Sequence, residues 1–303
     1  MFDYKKIFAS RELRLRILRL LAFIPDPLMV RIQYLIKTGR RLDLSTPTRY
    51  TEKIQAYKLY YRNPLLHKLV DKYEVRQYLA ERGFEDILVR LYGIYDSVDQ
   101  IDFESLPSRY VIKSTDGGGG NEVILVKDSK SVNICDLEST MKSWLVMNKS
   151  RLNPGREWAY TGIGDTRIII EEFIHAEELI DYKFFCFDGV VKYLYVIDGR
   201  NLGENCRLGV YTPAFDKFPV YRADEKHQTT ALAKPKNYDR MLEIAEQLSK
   251  GFPHVRIDMY NVEGKIYFGE FTFYDGSGYQ SYDPDDFDFE LGCCFDVTSF
   301  NRK

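Results

Sequence analysis

The sequence predicts an α+β fold built from antiparallel hairpins and amphipathic helices. Three observations carry that expectation. Residues 255–273 alternate apolar with polar side chains along two arms joined by a short turn. A second pair of strand patterns, 181–187 and 190–197, meets at Asp188-Gly189, a strong hairpin dipeptide. Helical spacing occupies 48–82, 136–147 and 238–250. With 303 residues, 45% of them hydrophobic and 29% charged, the chain is globular and long enough for one large domain or for two to three lobes.

The net charge of -2 conceals an asymmetry. Residues 1–68 hold 15 Lys and Arg against 5 Asp and Glu, which leaves 28 against 40 for the remainder. Within that basic end, residues 5–24 set Lys5, Lys6, Arg11, Arg14, Arg16 and Arg19 among leucine, isoleucine and phenylalanine before Pro25 and Pro27 end the helix. Such a helix either lies on an anionic membrane surface or packs on the body with its arginines in water. No nucleic-acid partner is expected, since neither an aromatic-basic groove nor a binding motif accompanies the charge. The five cysteines form no CxxC pair and no zinc-like spacing with the four histidines. No signal peptide or membrane-spanning apolar run is recognisable, so the expected compartment is the reducing cytoplasm.

The helical stretch 48–82 breaks near Asn63-Pro64 and restarts at His67 to Asp71, with Lys72 early in the new helix. A short strand pattern at 87–95 and a linker or short helix at 98–106 follow. Tyr110 to Lys113 and Val123 to Val126 then read as strands around Gly117, Gly118, Gly119 and Gly120. Glycines in a hairpin tip suit close approach of backbone N–H groups to phosphate oxygens, with Lys113 adding a point charge; a plain flexible turn is the alternative. The Walker A order is absent, and a strand rather than a helix follows the glycines. The strand pattern 166–174 closes on Glu171-Glu172. Residues 199–236 are polar and poorly periodic, which predicts a long loop able to close over a site. Helix 238–250 ends at Gly251 with Pro253 beyond. Residues 275–296 carry seven acids and no Lys or Arg and are expected to be a solvated tail, with support of a metal site or docking on the basic amino-terminal lobe as alternatives.

The hairpin at 255–273 concentrates the chemistry. If the odd-numbered apolar positions of both arms share the core, the loop has an odd length such as Glu263-Gly264-Lys265. Val262 then faces Ile266, Asp258 faces Glu270 and Arg256 faces Thr272. Opposed carboxylates repel without a cation between them, and hard oxygen donors suit Mg²⁺ or Mn²⁺ shared with phosphates. The alternative is an Arg256–Glu270 ion pair on a solvated face.

The order of these pieces, Asp71-Lys72, Lys113 before the glycine flap, Ile170-Glu171-Glu172-Phe173-Ile174, Arg256-x-Asp258 and Glu270-x-Thr272, resembles the ATP-grasp superfamily. More narrowly, Tyr50-Thr51-Glu52-Lys53-Ile54-Gln55, Leu69-Val70-Asp71-Lys72-Tyr73, residues 181–189 and Gly251-Phe252-Pro253 are similar to the TupA-like branch found in cell-surface polysaccharide gene sets. The similarity covers roughly residues 45–295. It implies two α+β lobes with antiparallel sheets that sandwich ATP, divided as a basic helical segment 1–68, a small lobe 69–165 and a large lobe 166–303. It also implies Lys72 and Lys113 on the phosphates beneath the 117–120 flap, Glu171, Glu172, Phe173 and Ile174 on adenine, and Glu178 (or Glu177) on ribose. Lys183 matches a position near the nucleotide, Asp258 and Glu270 would hold Mg²⁺, and Arg256 would meet the transferring phosphoryl group. Thr272 stands where ATP-grasp ligases usually have Asn, which leaves the number of metal ions, one or two, open.

The activity so implied is ATP-dependent ligation of a carboxylate and an amine through an acyl phosphate, with Ser277 and Gly278 holding the acceptor. The branch points to an amino acid or small amine joined to a uronic acid of a capsule, lipopolysaccharide or teichuronic-type polymer. The rival readings are a glycosyltransferase, whose DxD motif could only be Asp283-Pro284-Asp285 or Asp286-Phe287-Asp288, an ATP-dependent phosphotransferase acting on a glycan, and a scaffold without turnover.

Overall fold

The computed structural model describes residues 17–18, 20–118, 122–149, 153–161, 163–176, 178–199 and 206–300. Most of the basic stretch 5–24, together with Gly119, Gly120 and Glu177, lies outside the described residues. The chain forms two compact units, one of residues 1–63, 152–158 and 178–303, the other of residues 64–151 and 159–177. No described helix is long and apolar enough to cross a membrane.

The smaller unit is built on a four-stranded antiparallel sheet in the order β1-β4-β2-β3, from Leu91–Tyr95, Tyr110–Ser114, Val123–Val126 and Ile168–Glu172 for β1 to β4. Strand β4, expected to open the large lobe, belongs here because it pairs with both β1 and β2. Helix α5 (Ile134–Lys149) covers one face: Met141 and Trp144 pack on Tyr110, Ile112, Ile168 and Ile170, all at most 5% exposed. The stretch 87–95 is only half strand, since Glu85–Ile87 forms a 3₁₀ turn and pairing starts at Leu91. Two short helices, α3 (Leu65–Leu69) and α4 (Glu74–Ala80), take the place of one continuous helix. Lys72 falls in the turn between them, where Asp71 accepts the Tyr73 and Glu74 amides at 2.8 and 2.9 Å.

The larger unit carries a seven-stranded sheet, mostly antiparallel, whose central path runs β10-β7-β6-β5-β11-β12. Strands β5 (Asp181–Phe187) and β6 (Val190–Asp198) form the expected hairpin, with φ of 48° at Asp188 and 79° at Gly189 as a tight primed turn requires. Helix α6 (Tyr238–Ser249) packs its Tyr238, Met241, Ala245 and Leu248 face against β5, β6 and β11. The region 199–236 is not one long loop. It contains β7 (Arg207–Tyr211) and the two-residue strands β8 (Lys217–Phe218), β9 (Tyr221–Arg222) and β10 (Lys226–His227), which pair through backbone groups without any sequence period.

Strands β11 (Val255–Val262) and β12 (Lys265–Thr272) confirm the Asp258–Glu270 and Arg256–Thr272 pairings, by a different route from the one expected. The turn is the two-residue Glu263-Gly264, both with positive φ, so Val262 faces Lys265 and Asn261 faces Ile266. The register then shifts at Gly269, which stands as an extra residue between Met259↔Phe268 and Asp258↔Glu270. In consequence Ile266 and Phe268 are buried and Tyr267 is only half-buried, while Phe271 and Phe273 keep their places in the core.

The acidic stretch 275–296 is not a solvated tail. Helix α7 (Asp286–Cys294) packs on α2 (Tyr50–Tyr60), and buried Asp288 accepts the Thr51 amide at 3.0 Å and the Thr51 hydroxyl at 2.8 Å. Asp285 takes a two-pronged contact from Arg49, at 3.0 and 2.7 Å. A Cβ on Gly292 would lie 2.1 Å from the Thr48 carbonyl, so the helices meet backbone to backbone. The acids of the carboxyl-terminal helix thus meet the basic residues that begin α2, and burial strengthens the attraction. Beneath them Tyr50, Tyr57, Phe185, Phe187 and Phe295 surround a fully buried His254. Its Nδ1–H donates to the Cys186 carbonyl at 3.0 Å and its Nε2 accepts the Tyr50 hydroxyl at 2.9 Å. Burial pushes this imidazole down to about 3, so it stays neutral in the fold.

Candidate active site

In the larger unit, the polar face of β5, β11 and β12 gathers one charged cluster. Pairing of β11 with β5 sets Asp258 opposite Lys183, and pairing with β12 sets it opposite Glu270. The Arg256 guanidinium holds both Asp258 oxygens, Nε to Oδ1 and Nη2 to Oδ2, each at 2.7 Å. Its third nitrogen reaches buried Asp275, and Nη2 also donates to the Thr272 hydroxyl at 3.1 Å. Lys183 bridges Asp258 and Asp181, the latter at 2.8 Å. Burial works against the Lys183 ammonium, yet Asp181 and Asp258 outweigh it and raise its affinity for the proton. Burial likewise opposes the Asp258 carboxylate, but Arg256 and Lys183 hold it below the usual range.

Glu270 differs from its neighbours. Its side chain is 43% exposed, against 3% for Asp258, and Arg256 lies 3.7 Å from its Oε1. Four carboxylates, Asp181, Asp258, Asp275 and Glu270, therefore outnumber the cations around them, Lys183, Arg256 and the Arg222 that attracts Asp275. The excess negative charge favours a bound cation. Asp258 has three donors for the four lone pairs of its carboxylate, which leaves Oδ1 one lone pair. With the open Glu270 carboxylate and the Thr272 hydroxyl, this donor set fits a hard cation that keeps several waters. Among the described residues no group of three His, Cys, Asp or Glu converges on one point, so water and phosphate oxygens would complete the coordination.

The smaller unit brings together a second set. Lys113 on β2 donates to Glu171 Oε2 at 2.7 Å, and Arg76 donates to Oε1 at 3.0 Å. Glu171, expected on adenine, thus commits its side chain to fixing the lysine; Glu172 closes β4, and half-buried Phe173 and Ile174 follow it. Lys72 donates its backbone N–H to the Thr115 carbonyl at 2.8 Å and its ammonium to the Gly117 carbonyl, tying the helix turn to the root of the glycine flap. Gly117 has a steric reason to be glycine, because a Cβ would stand 2.4 Å from Ser114 Oγ and 2.6 Å from Glu122 Oε2. Those two atoms share a buried hydrogen bond of 2.8 Å. Gly117→Ala is expected to part them and to destabilise the protein by about 1–3 kcal/mol, measured by urea denaturation.

Glu178, placed on ribose by resemblance, is exposed and accepts the Gly199 amide at 2.7 Å. Ser277 and Gly278 lie in a left-handed turn after β12, with φ of 51°, 56° and 68° at residues 276–278. Ser277 is less free than a substrate-holding serine would be: the wholly buried Lys58 donates to its carbonyl at 2.6 Å and its hydroxyl at 2.7 Å. Gln55 adds bonds to the Ser277 and Gly278 carbonyls, each at 3.0 Å. Sequence reasoning missed Asp181 and Asp275 as partners of Lys183 and Arg256. Asp181-x-Lys183 on one strand face was the available signal for the first, and none marked Asp275 apart from its neighbours.

The two side-chain sets thus lie on antiparallel sheets, one on β2 and β4 of the smaller unit and the other on β5, β11 and β12 of the larger. A family model described as TupA-like ATP-grasp matches residues 52–296, and the chain belongs to that family. Its fold is accordingly the ATP-grasp α+β fold, and the family uses ATP and Mg²⁺. A search of the curated proteins gave no significant match. Among solved structures, the chain is similar to a D-alanine–D-alanine ligase from Bacillus anthracis in complex with ATP (15% identity over 68% of this chain and 55% of that one, TM-score 0.41). It is also similar to an L-amino acid ligase from Bacillus licheniformis (19%, 75% and 49%, TM-score 0.46) and a D-alanine–D-alanine ligase from Helicobacter pylori (14%, 75% and 61%, TM-score 0.41). The chain spans about half the length of the first two.

Proposed function

We propose that the protein is an ATP-dependent carboxylate–amine ligase that works through an acyl phosphate. The observation that carries this reading is the β11–β12 hairpin, where Asp258 and Glu270 face each other with Arg256 locked beside them, in a chain of an ATP-grasp family. In the smaller unit, Lys72, Lys113 and the 117–120 flap are assigned to the phosphates and Glu171 to Ile174 to the adenine ring, Glu171 through its backbone. In the larger unit, Glu178 is assigned to ribose, Lys183 to the nucleotide and Asp258, Glu270 and Thr272 to the metal. A divalent cation bound there supplies positive charge to phosphate oxygens.

The substrate carboxylate attacks the γ-phosphorus and ADP leaves; Arg256 is assigned to the charge that develops on the transferring group. An amine then attacks the acyl carbon, the amide forms, and phosphate departs with the amine proton released to solvent. Ser277 and Gly278 are assigned to the acceptor. The carboxylate is read as a uronic acid of a cell-surface polysaccharide and its partner as an amino acid or small amine, with the reaction on the cytoplasmic side; this reading rests on the motif resemblance described from the sequence.

The glycosyltransferase alternative loses its metal motif. Asp285 is engaged by Arg49, and Asp288 is buried on Thr51. The test is thermal stability with ADP, ATP and UDP-sugars, each with and without Mg²⁺. Adenine nucleotide at about 100 times its Kd is expected to stabilise the protein by about 2.7 kcal/mol in the presence of Mg²⁺, and uronic acid with amine is expected to release phosphate. Stabilisation by a UDP-sugar alone would overturn the reading, and a phosphorylated glycan without free phosphate would convert it to a phosphotransferase.

A further inference from the structure

Helix α1 (Asp26–Thr38) has two apolar faces, and only one of them is used. Val30 and Tyr34 pack into a core with Leu42, Leu44, Ala56 and Leu59. Tyr34 also hydrogen-bonds Thr51 at 2.8 Å, and Gln33 donates to the Pro154 carbonyl at 2.9 Å and accepts from Tyr279 at 2.8 Å. The helix is therefore fixed about its axis and cannot roll to bury its other side. On that side stand Leu28, Ile32, Leu35 and Ile36, which with Arg31 fill an arc of roughly 140° at 100° per residue.

Of the eleven large hydrophobic side chains exposed among the described residues, six lie between Leu20 and Ile36, with Phe23 at 82% and Leu28 at 51%. Scattered exposed hydrophobes are ordinary, whereas a contiguous stripe marks a contact surface. Among the described residues nothing covers this face.

Charge selects the occupant. The exposed arc carries Arg31 and no acid, because the helix's one acid, Asp26, turns away to pair with Arg156 at 2.8 Å. Immediately upstream, residues 5–19 hold six Lys and Arg and one Glu in sequence, and Arg41 is exposed just downstream. An aliphatic stripe one helix wide, flanked by cations, is the pattern of a helix that lies in the plane of an anionic lipid surface.

We infer that the outer face of residues 20–36 docks the protein onto an anionic bilayer. This inference stands apart from the ligase reading, since it concerns no residue assigned to nucleotide, metal or acceptor. The test is cosedimentation of the full chain with phosphatidylcholine vesicles containing about a third phosphatidylserine, and with pure phosphatidylcholine. The wild type is expected to sediment with the anionic vesicles and to be released by high salt. The triple variant Leu28→Glu, Ile32→Glu, Leu35→Glu is expected to bind at least about tenfold more weakly with an unchanged melting temperature, as all three side chains are exposed. Equal binding by the variant, or no binding by the wild type, would overturn the inference. So would a wild-type dimer that the variant converts to monomer, which would give the face to a second copy of the chain, and so would a lowered melting temperature without vesicles, which would give it to another part of the same chain.

Discussion

Glu270→Gln is expected to leave folding stability within about 0.5 kcal/mol and to lower ATP-dependent phosphate release at least about 100-fold, with loss of Mg²⁺-dependent stabilisation by nucleotide. Its carboxylate is 43% exposed and makes no contact on which the core depends. Asp258→Asn should fail in the opposite manner. Its carboxylate is buried between Arg256 and Lys183, and removing the charge leaves two buried cations with less compensation. Each cation keeps another acid, Asp275 for Arg256 and Asp181 for Lys183, so the loss is placed at the low end of the range for a broken buried pair, about 3 kcal/mol. Urea denaturation separates the two variants from each other, and phosphate release separates both from the wild type. If Glu270→Gln retains full Mg²⁺ dependence, the hairpin is not the metal site.

What made this hairpin legible from sequence was period two, and what escaped was the way the period is broken. An odd loop and a two-residue turn plus a one-residue bulge bring the same carboxylates face to face, and sequence alone favoured the simpler of the two. Gly269 has no side chain to pack or to misplace, so in a strand pattern it reads as neutral. In the fold its ideal Cβ position lies only 3.0 Å from the Asp258 carbonyl, the close approach at which a bulge tolerates glycine. The bulge also moves Ile266 and Phe268 into the core in place of Tyr267, an exchange that binary patterning cannot register.

The acidic carboxyl-terminal stretch escaped for a different reason. Charge density in a sequence predicts solvation unless the partner is known, and here the partners, Arg40, Arg49 and Thr51, lie more than two hundred positions away. A similar distance in sequence hid Lys58 beneath Ser277, whereas Asp275, only 19 residues from Arg256, was hidden because it lies past the end of β12, where no strand period marks which way it faces. Strands β8 to β10 are two residues long, too short to carry any period, and are held by the strands they join. Strands β2 and β3 of the smaller unit were legible because strand, glycine loop and strand are adjacent in sequence and pair locally, whereas β4, whose partners lie more than fifty residues upstream, was placed in the wrong lobe.

Lys58 provides the second large effect, in the dependence of stability on pH. Its ammonium is buried without a close carboxylate, Glu157 being 3.9 Å away, and burial pushes it down to about 7 despite that acid's attraction. In the unfolded chain a lysine holds its proton to about 10.4. Between those two values the unfolded state binds more protons than the folded state, so stability rises with pH across the window and falls as pH is lowered toward 7. His254 acts with the same sign lower down, from its folded value of about 3 to the ordinary value near 6.5. Between pH 7 and 8.5 the Lys58 contribution amounts to roughly 1.5 kcal/mol. Lys58→Met removes it while Gln55 still donates to the Ser277 carbonyl, which keeps the turn partly satisfied. The stability difference between wild type and Lys58→Met is therefore expected to grow in favour of the wild type by about that amount over this window, as measured by urea denaturation at fixed ionic strength. A difference that stays constant from pH 7 to 8.5 would mean that Lys58 keeps its proton in the fold and that Glu157, small as its share appears by distance, neutralises it.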